Sequence, residues 1–356
     1  MLEREGLDGV LLSTQHNFAW LTGGGSNGID LSRENGAASL FVTRNGKRYL
    51  LSNNIEMPRI MAEEVSAKDF ESVEFAWESE KAAGDLVLRK AGELVEGEIA
   101  TDLALFTGTK AVENKIASCR YRLTSDELER LRKLGRDAGA AIRRVVDKLD
   151  PGDTEIKIAE KMRHELALGN MVSVVTLVAA DERIAQFRHP VPTVNNWKKT
   201  LLMVTCAKRH GLIASLSRIV CIGDVPDELK SRTETTAYVN ACMLDATLPG
   251  STGAAVYKAA ATAYAAKGFA SEINRHHQGG AAGYKTREWV AHPQSAEVVH
   301  LDQAFAWNPS ITGTKVEETC ITTENGVEIV TASPNFPQIT TVLNGREYYS
   351  PGILSL

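Results

Sequence analysis

Cysteine is scarce in this chain, and the cysteines that are present are scattered. Five occur in 356 residues, with no CxxC pair among them. This pattern favours neither a zinc knuckle nor a disulfide framework. We predict that most of them are reduced and buried, because a free cysteine behaves as a small apolar residue. The five are Cys119, Cys206, Cys221, Cys242 and Cys320.

Long apolar runs and an excess of basic residues are also missing. No stretch approaches the roughly 18 consecutive apolar residues of a membrane-spanning helix. The first five residues, MLERE, lack the basic start and apolar core of a signal peptide. A net charge of −5 gives no general attraction for nucleic acid or anionic membranes. We therefore predict a cytoplasmic protein with no nucleic-acid partner and no membrane partner.

The chain is long enough for two domains, and its hydrophobic fraction of 43% is ordinary for a globular protein. Short strand patterns alternate with helical patterns in the first third, which predicts an α/β N-terminal domain over 1–122. Thr124 is followed by acidic residues and then by an amphipathic helix pattern, so it is a good N-cap. We place the second domain at 123–356. The N-terminal predictions are strands at 37–43, 48–52 and 73–76 and helices at 54–67 and 78–95.

The second domain shows an internal duplication. The segments 149–152 (LDPG) and 247–250 (TLPG) each precede a helical pattern, and each follows a longer one. This repetition favours two pseudo-symmetric halves whose strands form one curved sheet covered by helices, although two unrelated helix starts would look the same. The longer helices are predicted at 125–148 and 227–246. The strands are predicted at 172–179, 200–207, 211–222, 298–308 and 315–322, with a final hairpin at 327–331.

Two adjacent histidines give the chain its most site-like stretch. His276 and His277 are followed by Gln278 and a pair of glycines. Imidazoles transfer protons near neutral pH and bind metals, and glycine lets other groups approach the backbone closely. Taken alone, the stretch fits a polar loop as well as it fits a functional site.

Four further segments give this stretch a context. They are FRHPVPT at 187–193, VTCAKRHGLIASLSR at 204–218, WNP at 307–309 and KVEET at 315–319. In this order and spacing the chain resembles the pita-bread superfamily of methionine aminopeptidases, Xaa-Pro aminopeptidases, prolidases and creatinase. The resemblance implies a creatinase/prolidase-like N-terminal domain and a pita-bread domain with a curved antiparallel sheet. It also implies a homodimer in which the N-terminal domain of one chain closes the site of the other.

The same resemblance bears on metal binding. Metal-dependent members hold two ions with two Asp eleven residues apart, one His and two Glu. Val204 offers no donor atom, while Ser215 and Asn308 offer only neutral oxygens, whereas a pair of divalent ions needs several carboxylates. We therefore predict no metal and no cofactor; one zinc ion with His276 or Cys206 as an added ligand is the remaining alternative. The five ligand positions fall on Val204, Ser215, His277, Asn308 and Glu317.

The residues that survive resemble creatinase, a member that works without metal. His189 matches its acid/base histidine, and His277 and Glu317 match positions that contact the substrate, so we predict these three as catalytic. An imidazole can take a proton from water and return it to a leaving nitrogen. The predicted substrate-binding residues are His276, Gln278, Arg188, Arg218, Glu318, Asn308, Tyr284 and Trp307.

The resulting prediction is a metal-independent, creatinase-like hydrolase. Its substrate would be a small polar metabolite with a guanidino, amidine or amide C–N bond. One alternative is a catalytically silent pita-bread module that binds a peptide or a protein. The other is a metal-dependent Xaa-Pro aminopeptidase or dipeptidase.

Overall fold

The computed structural model describes residues 1–104, 106 and 108–356. These residues divide into two units, Met1–Arg120 and Tyr121–Leu356. Within the described residues, no helix has the length and apolar character needed to cross a bilayer.

The first unit is built on one mixed sheet. Its strands are β1 (Gly9–Thr14), β2 (Asn35–Thr43), β3 (Arg48–Asn53), β4 (Glu71–Phe75), β5 (Ile99–Thr101) and β6 (Lys110–Ala111), in the spatial order β4-β3-β2-β1-β5-β6. Its helices are α1 (Leu2–Glu5), α2 (Gln15–Leu21), α3 (Met57–Glu63), α4 (Trp77–Ala82), α5 (Leu86–Gly92) and α6 (Glu113–Cys119). The pairs β1–β2 and β2–β3 are antiparallel, and the other neighbours are parallel.

Both faces of this sheet are covered, because β1 sends alternate side chains into two apolar clusters. Val10 and Leu12 lie in one cluster and Leu11 lies in the other. The α/β prediction is confirmed for this unit. The single helix predicted over 78–95 is wrong, since α4 and α5 are separated by Ala83, Gly84 and Asp85. Glycine and aspartate are both unfavourable inside a helix, which accounts for the break.

The second unit contains the duplicated part of the sequence. Its helices are α7 (Ser125–Val146), α8 (Glu155–Ala167), α9 (Arg183–Gln186), α10 (Asp227–Ala246) and α11 (Gly253–Ala266), with a 3-10 turn at Ala270–Asn274. Its strands are β7 (Val172–Ala180), β8 (Thr200–Arg209), β9 (Leu212–Cys221), β10 (Gly279–Ala282), β11 (Trp289–Val290), β12 (Ala304–Trp307), β13 (Ser310–Ile311), β14 (Thr314–Lys315), β15 (Glu318–Thr323), β16 (Gly326–Ile329), β17 (Gln338–Leu343), β18 (Arg346–Pro351) and β19 (Ile353–Ser355).

The predicted duplication is confirmed by the element order. A long helix, a shorter helix and then strands occur twice, beginning at α7 and at α10. The starts of the shorter helices are equivalent: the Thr154 hydroxyl accepts a hydrogen bond from the Lys157 N–H, and Thr252 accepts one from Ala255. Each cap satisfies a backbone donor that a helix start leaves free. The two LDPG-like segments therefore mark equivalent positions in the two halves.

The strands form two main sheets rather than the one continuous sheet that the sequence suggested, and β13–β14 and β17–β18 form two further pairs. The orders of the two main sheets are β19-β9-β8-β7 and β11-β10-β12-β15-β16. They meet at a seam between β9 and β15, where the Ser217 N–H donates to the Glu317 carbonyl over 3.1 Å. The regular ladder is interrupted there because the Thr319 hydroxyl takes the place of backbone groups, accepting from Ser215 N–H at 2.7 Å and donating to Ser215 O at 2.9 Å. This seam positions the candidate site.

Candidate functional site

The predicted catalytic residues gather where the two sheets meet. Glu317 directly precedes β15, and Asn308 directly follows β12. The Asn308 N–H donates to the Gln278 carbonyl over 3.0 Å, which ties the end of β12 to the segment that carries His277. Glycines fit here because a side chain at Gly279 or Gly280 would collide with the neighbouring strand backbones.

Three histidines from two distant segments form a cluster. His189 Nε2 lies 3.0 Å from His276 Nε2, so the two rings share a hydrogen bond. The rings of His276 and His277 are stacked, with centroids 4.4 Å apart. His189 and His277 are also neighbours, with centroids 5.7 Å apart. The structure thus brings together three histidines that the sequence analysis assigned to the site from separate motifs.

Partial desolvation favours the neutral form of all three imidazoles. It lowers the pKa of His189, and the Lys315 charge lowers it further. Burial also lowers the pKa of His276 to about 2 and that of His277 to about 4, with nearby positive charges adding to both shifts. Near neutral pH each ring therefore has one N–H and one free lone pair, as general acid/base chemistry requires.

Glu317 is held between two cations. Its carboxylate accepts from Arg287 Nη2 at 3.1 Å and lies 2.9 Å from Lys315 Nζ. Burial alone would raise the pKa of Glu317, but the charges of Lys315 and Arg287 outweigh burial and hold the pKa below its ordinary value. Glu317 is 2% exposed and Lys315 is 6% exposed. The site therefore contains a buried carboxylate that is ionised and already paired.

These residues do not fit the two metal ions that the superfamily resemblance implies. Val204 is buried in an apolar cluster with Leu177 and Ile219 and has no donor atom. The Ser215 hydroxyl donates to the Cys206 sulfur over 3.2 Å. The remaining carboxylate, Glu317, has its charge offset by two fixed cations, which would also repel divalent ions. The donor set and its charge both disfavour a dinuclear centre.

A single metal ion at the three histidines is also disfavoured. Their ligand atoms all lie within 4.8 Å of one another, so the grouping itself is suitable. However, the Gly279 N–H donates to His277 Nδ1 at 3.3 Å, which places the proton of a neutral ring on Nε2. His276 Nδ1 is buried without a hydrogen-bond partner among the described residues. Metal-bound histidines instead donate their second N–H to a carboxylate or a carbonyl.

Two predicted substrate-binding residues, Arg218 and Glu318, are turned away from this cluster. Successive residues of an extended chain point to opposite faces, so both lie on the face opposite Ser217 and Glu317. They pair with each other at 2.8 Å and line a separate cavity of about 340 Å³. Arg218 also donates to the carbonyls of Ser217 and Thr331. The structure thus gives these two residues structural partners.

Gln278 and Arg188 also have protein partners. Gln278 Nε2 donates to the His276 carbonyl at 2.5 Å, and Gln278 Oε1 accepts from the Tyr264 hydroxyl at 2.9 Å. Gln278 therefore fixes the backbone that carries the histidine pair. Arg188, next to His189, forms an ion pair with Glu272. This pair anchors the loop that carries His189.

Tyr284 and Trp307 are both buried and engaged. The Tyr284 hydroxyl donates to Glu127 at 2.6 Å and accepts from Arg130 at 3.2 Å. The Trp307 ring is stacked on Phe305, with centroids 5.3 Å apart. The Tyr284 hydroxyl is therefore hydrogen-bonded to side chains of helix α7, and Trp307 belongs to the apolar core.

Lys315 and Arg287 are the site residues that sequence reasoning missed. The sequence analysis assigned no role to either residue. A signal was present for Lys315, because it stands two positions before Glu317 and side chains two apart in an extended segment share a face. Arg287 had no such signal, since its contact with Glu317 depends on how the loop after β10 folds back.

A duplicated helix-and-strand domain with His and Glu at the seam of its two halves, preceded by a mixed α/β domain, defines the class of the protein: it is a member of the pita-bread superfamily. Residues 129–330 match metallopeptidase family M24, and residues 1–134 match the creatinase/prolidase N-terminal domain. The chain belongs to family M24.

Named relatives are mostly peptidases. The chain is 25% identical over 230 residues to an Xaa-Pro dipeptidase of Lactobacillus delbrueckii subsp. lactis, covering 61% of this chain and 62% of the relative. It is 22% identical over 349 residues to the uncharacterized peptidase YqhT of Bacillus subtilis strain 168, covering 92% and 95%. The structure of an Xaa-Pro dipeptidase from Bacillus anthracis superposes with a TM-score of 0.74 at 17% identity, covering 100% and 97%, and shows the shared fold.

These comparisons support a hydrolase and correct part of the sequence interpretation. They favour the peptidase alternative over the creatinase-like hydrolase that was preferred there. They give no support to metal independence, since M24 peptidases are typically metal-dependent. The predicted homodimer and cytoplasmic location stay predictions.

Proposed function

We propose that the chain hydrolyses the C–N bond of a small dipeptide-like or amide substrate and does so without a dinuclear metal centre. The substrate size and bond type rest on the Xaa-Pro dipeptidase among its relatives. The absence of a dinuclear metal centre from the proposal rests on one observation. Glu317, the carboxylate that remains at a ligand position, is paired with Lys315 and Arg287.

His189 is the proposed general acid/base. It is exposed and can reach solvent and substrate, whereas its partner His276 is buried. Because the two Nε2 atoms share one hydrogen bond, Nδ1 of His189 is the nitrogen available to a water molecule. When His189 Nε2 donates to His276, Nδ1 carries a lone pair and can take the water proton. The protonated ring then returns a proton to the leaving nitrogen.

The other site residues position the substrate in this proposal. The Nε2–H that remains on neutral His277 is a donor suited to a carbonyl oxygen. Cys206 is not proposed as a nucleophile, because burial raises the pKa of its thiol and keeps it protonated. Water activated by His189 therefore attacks the carbonyl carbon directly.

The relatives' names favour a second candidate, a metal-dependent Xaa-Pro dipeptidase. In this structure that function would require Glu317 to leave its two cations. It would also require ligands from outside the chain to replace the carboxylates absent at Val204, Ser215 and Asn308. The buried ion pairs make this the less favourable of the two candidates.

A substrate panel separates the candidates. Purified protein is assayed on Xaa-Pro and other dipeptides, N-acyl amino acids and guanidino compounds, with EDTA or with added manganese. We expect turnover of a dipeptide or amide that EDTA does not change. A His189→Ala preparation purified in parallel measures any contaminating peptidase. Turnover that EDTA abolishes and manganese restores would support the dipeptidase, and binding without turnover would support the silent module.

A further inference from the structure

We propose that Lys315 and Arg287 form a cationic centre that binds an anionic oxygen of the substrate, at the place where related enzymes hold metal. The oxygen belongs either to a carboxylate of the bound substrate or to the oxyanion that forms when its carbonyl is attacked. This inference rests on the proposed function and deepens it by assigning a charge to the bound group.

The first support is the charge of the ion triad, defined as Lys315, Glu317 and Arg287. Lys315 lies 2.9 Å and Arg287 3.1 Å from the Glu317 carboxylate. Because two cations share one carboxylate, the net charge of the triad is +1. An uncompensated charge in a buried site is costly, and an anionic ligand would relieve that cost.

The second support is the set of donors that the triad leaves free. The Arg287 side chain donates through Nη1 to the Thr286 carbonyl and through Nη2 to Glu317, while its buried Nε has no partner among the described residues. An ammonium group has three donor hydrogens, and the ion pair with Glu317 needs only one of those on Lys315. The Nε2–H of His277 adds a neutral donor.

The arrangement also explains how the site could work without metal. In a metallopeptidase the ions polarise the carbonyl and stabilise the charge that develops on its oxygen. Fixed cations in a site shielded from water do the same without reorganising. Glu317 holds both cations in place, so its role changes from a metal ligand to an anchor of the cationic centre.

The test uses variants that remove one charge and keep the side-chain volume. Lys315→Met and Arg287→Met each leave a neutral pair with Glu317, so the fold has no new buried charge to accommodate. Lys315→Arg keeps the charge and should retain most activity. Arg132→Met, which removes a half-exposed ion pair with Glu328, is the matched control. Each charge-removing variant should lower kcat/KM by about 100-fold on the best substrate of the panel.

Matched substrates identify the anion. If the bound anion is a substrate carboxylate, the charge-removing variants should raise KM. This effect should disappear when the substrate carries a primary amide in place of the carboxylate. If it is the oxyanion, kcat falls for both members of the pair. Charge-removing variants that retain both kcat and KM on both substrates would overturn the proposal.

A binding measurement keeps the inference separate from the proposed function. Calorimetry compares N-acetyl-L-alanine with its primary amide, with no turnover needed. A carboxylate at the triad should bind at least about 10-fold more tightly than the amide, and Lys315→Met should remove the difference. If the panel shows no turnover but this preference is present, the proposed function fails and the anion site stands. Absence of both the preference and the kcat effect would refute the site.

Discussion

Glu317 and Glu318 are neighbours in the chain, and both are almost completely buried, yet their surroundings differ in kind. Glu317 faces two cations, and its pKa lies below the ordinary value even though burial opposes this. Burial raises the pKa of Glu318, and the single charge of Arg218 offsets this only in part. Arg218 is further held by backbone carbonyls, and the Thr331 hydroxyl donates to Glu318. Glu317 thus belongs to a group with a net positive charge, whereas Glu318 and Arg218 form a neutral ion pair with a structural role.

Neutralising each glutamate in turn should produce the largest difference between the two sites. Glu317→Gln leaves two buried cations without a counterion and should cost about 3–5 kcal/mol of stability together with turnover. Glu318→Gln should cost less, because it leaves one buried cation, Arg218, without a counterion instead of two. Urea unfolding and assays on the folded fraction measure both. Equal losses of stability and turnover in the two variants would contradict the distinction.

A second prediction concerns the chemistry on the Glu317 side. His189→Ala should lower kcat by about 10²–10⁴-fold, the usual contribution of general acid/base catalysis. Stability should change little because His189 is exposed. His164→Ala, an exposed histidine on α8, is the control and should keep full activity.

The pH profile gives an internal check on His189. Since burial lowers its pKa, the acid limb of kcat/KM should lie below about pH 6.5, the ordinary histidine value. An acid limb above that value would argue against His189 as the base.

A smaller effect is expected in the pH dependence of stability. Unfolded His277 titrates near pH 6.5, but in the folded chain its pKa is about 4. The unfolded state therefore binds more protons between these values, so stability should fall as the pH drops through this window. The urea midpoint at pH 7.5, 5.5 and 4.5 should show the fall, and His277→Gln should reduce it without abolishing it, because His276, with a pKa of about 2, contributes over the same window. An unchanged slope in that variant would show that other groups dominate.

Most of the fold could be predicted from the sequence because its signals are local. The shorter helices begin just after the two Pro-Gly segments, at Thr154 and Thr252, and the hairpin of β15 and β16 lies where the pattern placed it. The break into two sheets could not be predicted, because it depends on the Thr319 hydroxyl replacing backbone partners across the seam.

The candidate site could be predicted in part. His189, His276 and His277 were assigned to the site from motifs that resemble those of the superfamily. The same resemblance showed that Val204 has no donor atom at a ligand position. The orientation of Arg218 and Glu318 was not predicted from the sequence. It follows from the alternation of side chains in a strand once Glu317 is known to face the site. The contact between Arg287 and Glu317 depends on tertiary folding and left no trace in the local pattern.

Metal stoichiometry shows whether fixed cations stand in for metal at Glu317. Protein purified in buffer containing manganese, then passed through a desalting column, is analysed for bound metals and assayed in the same fractions. We expect full turnover with well below one metal ion per chain. Two ions per chain, with activity that follows their occupancy, would contradict it.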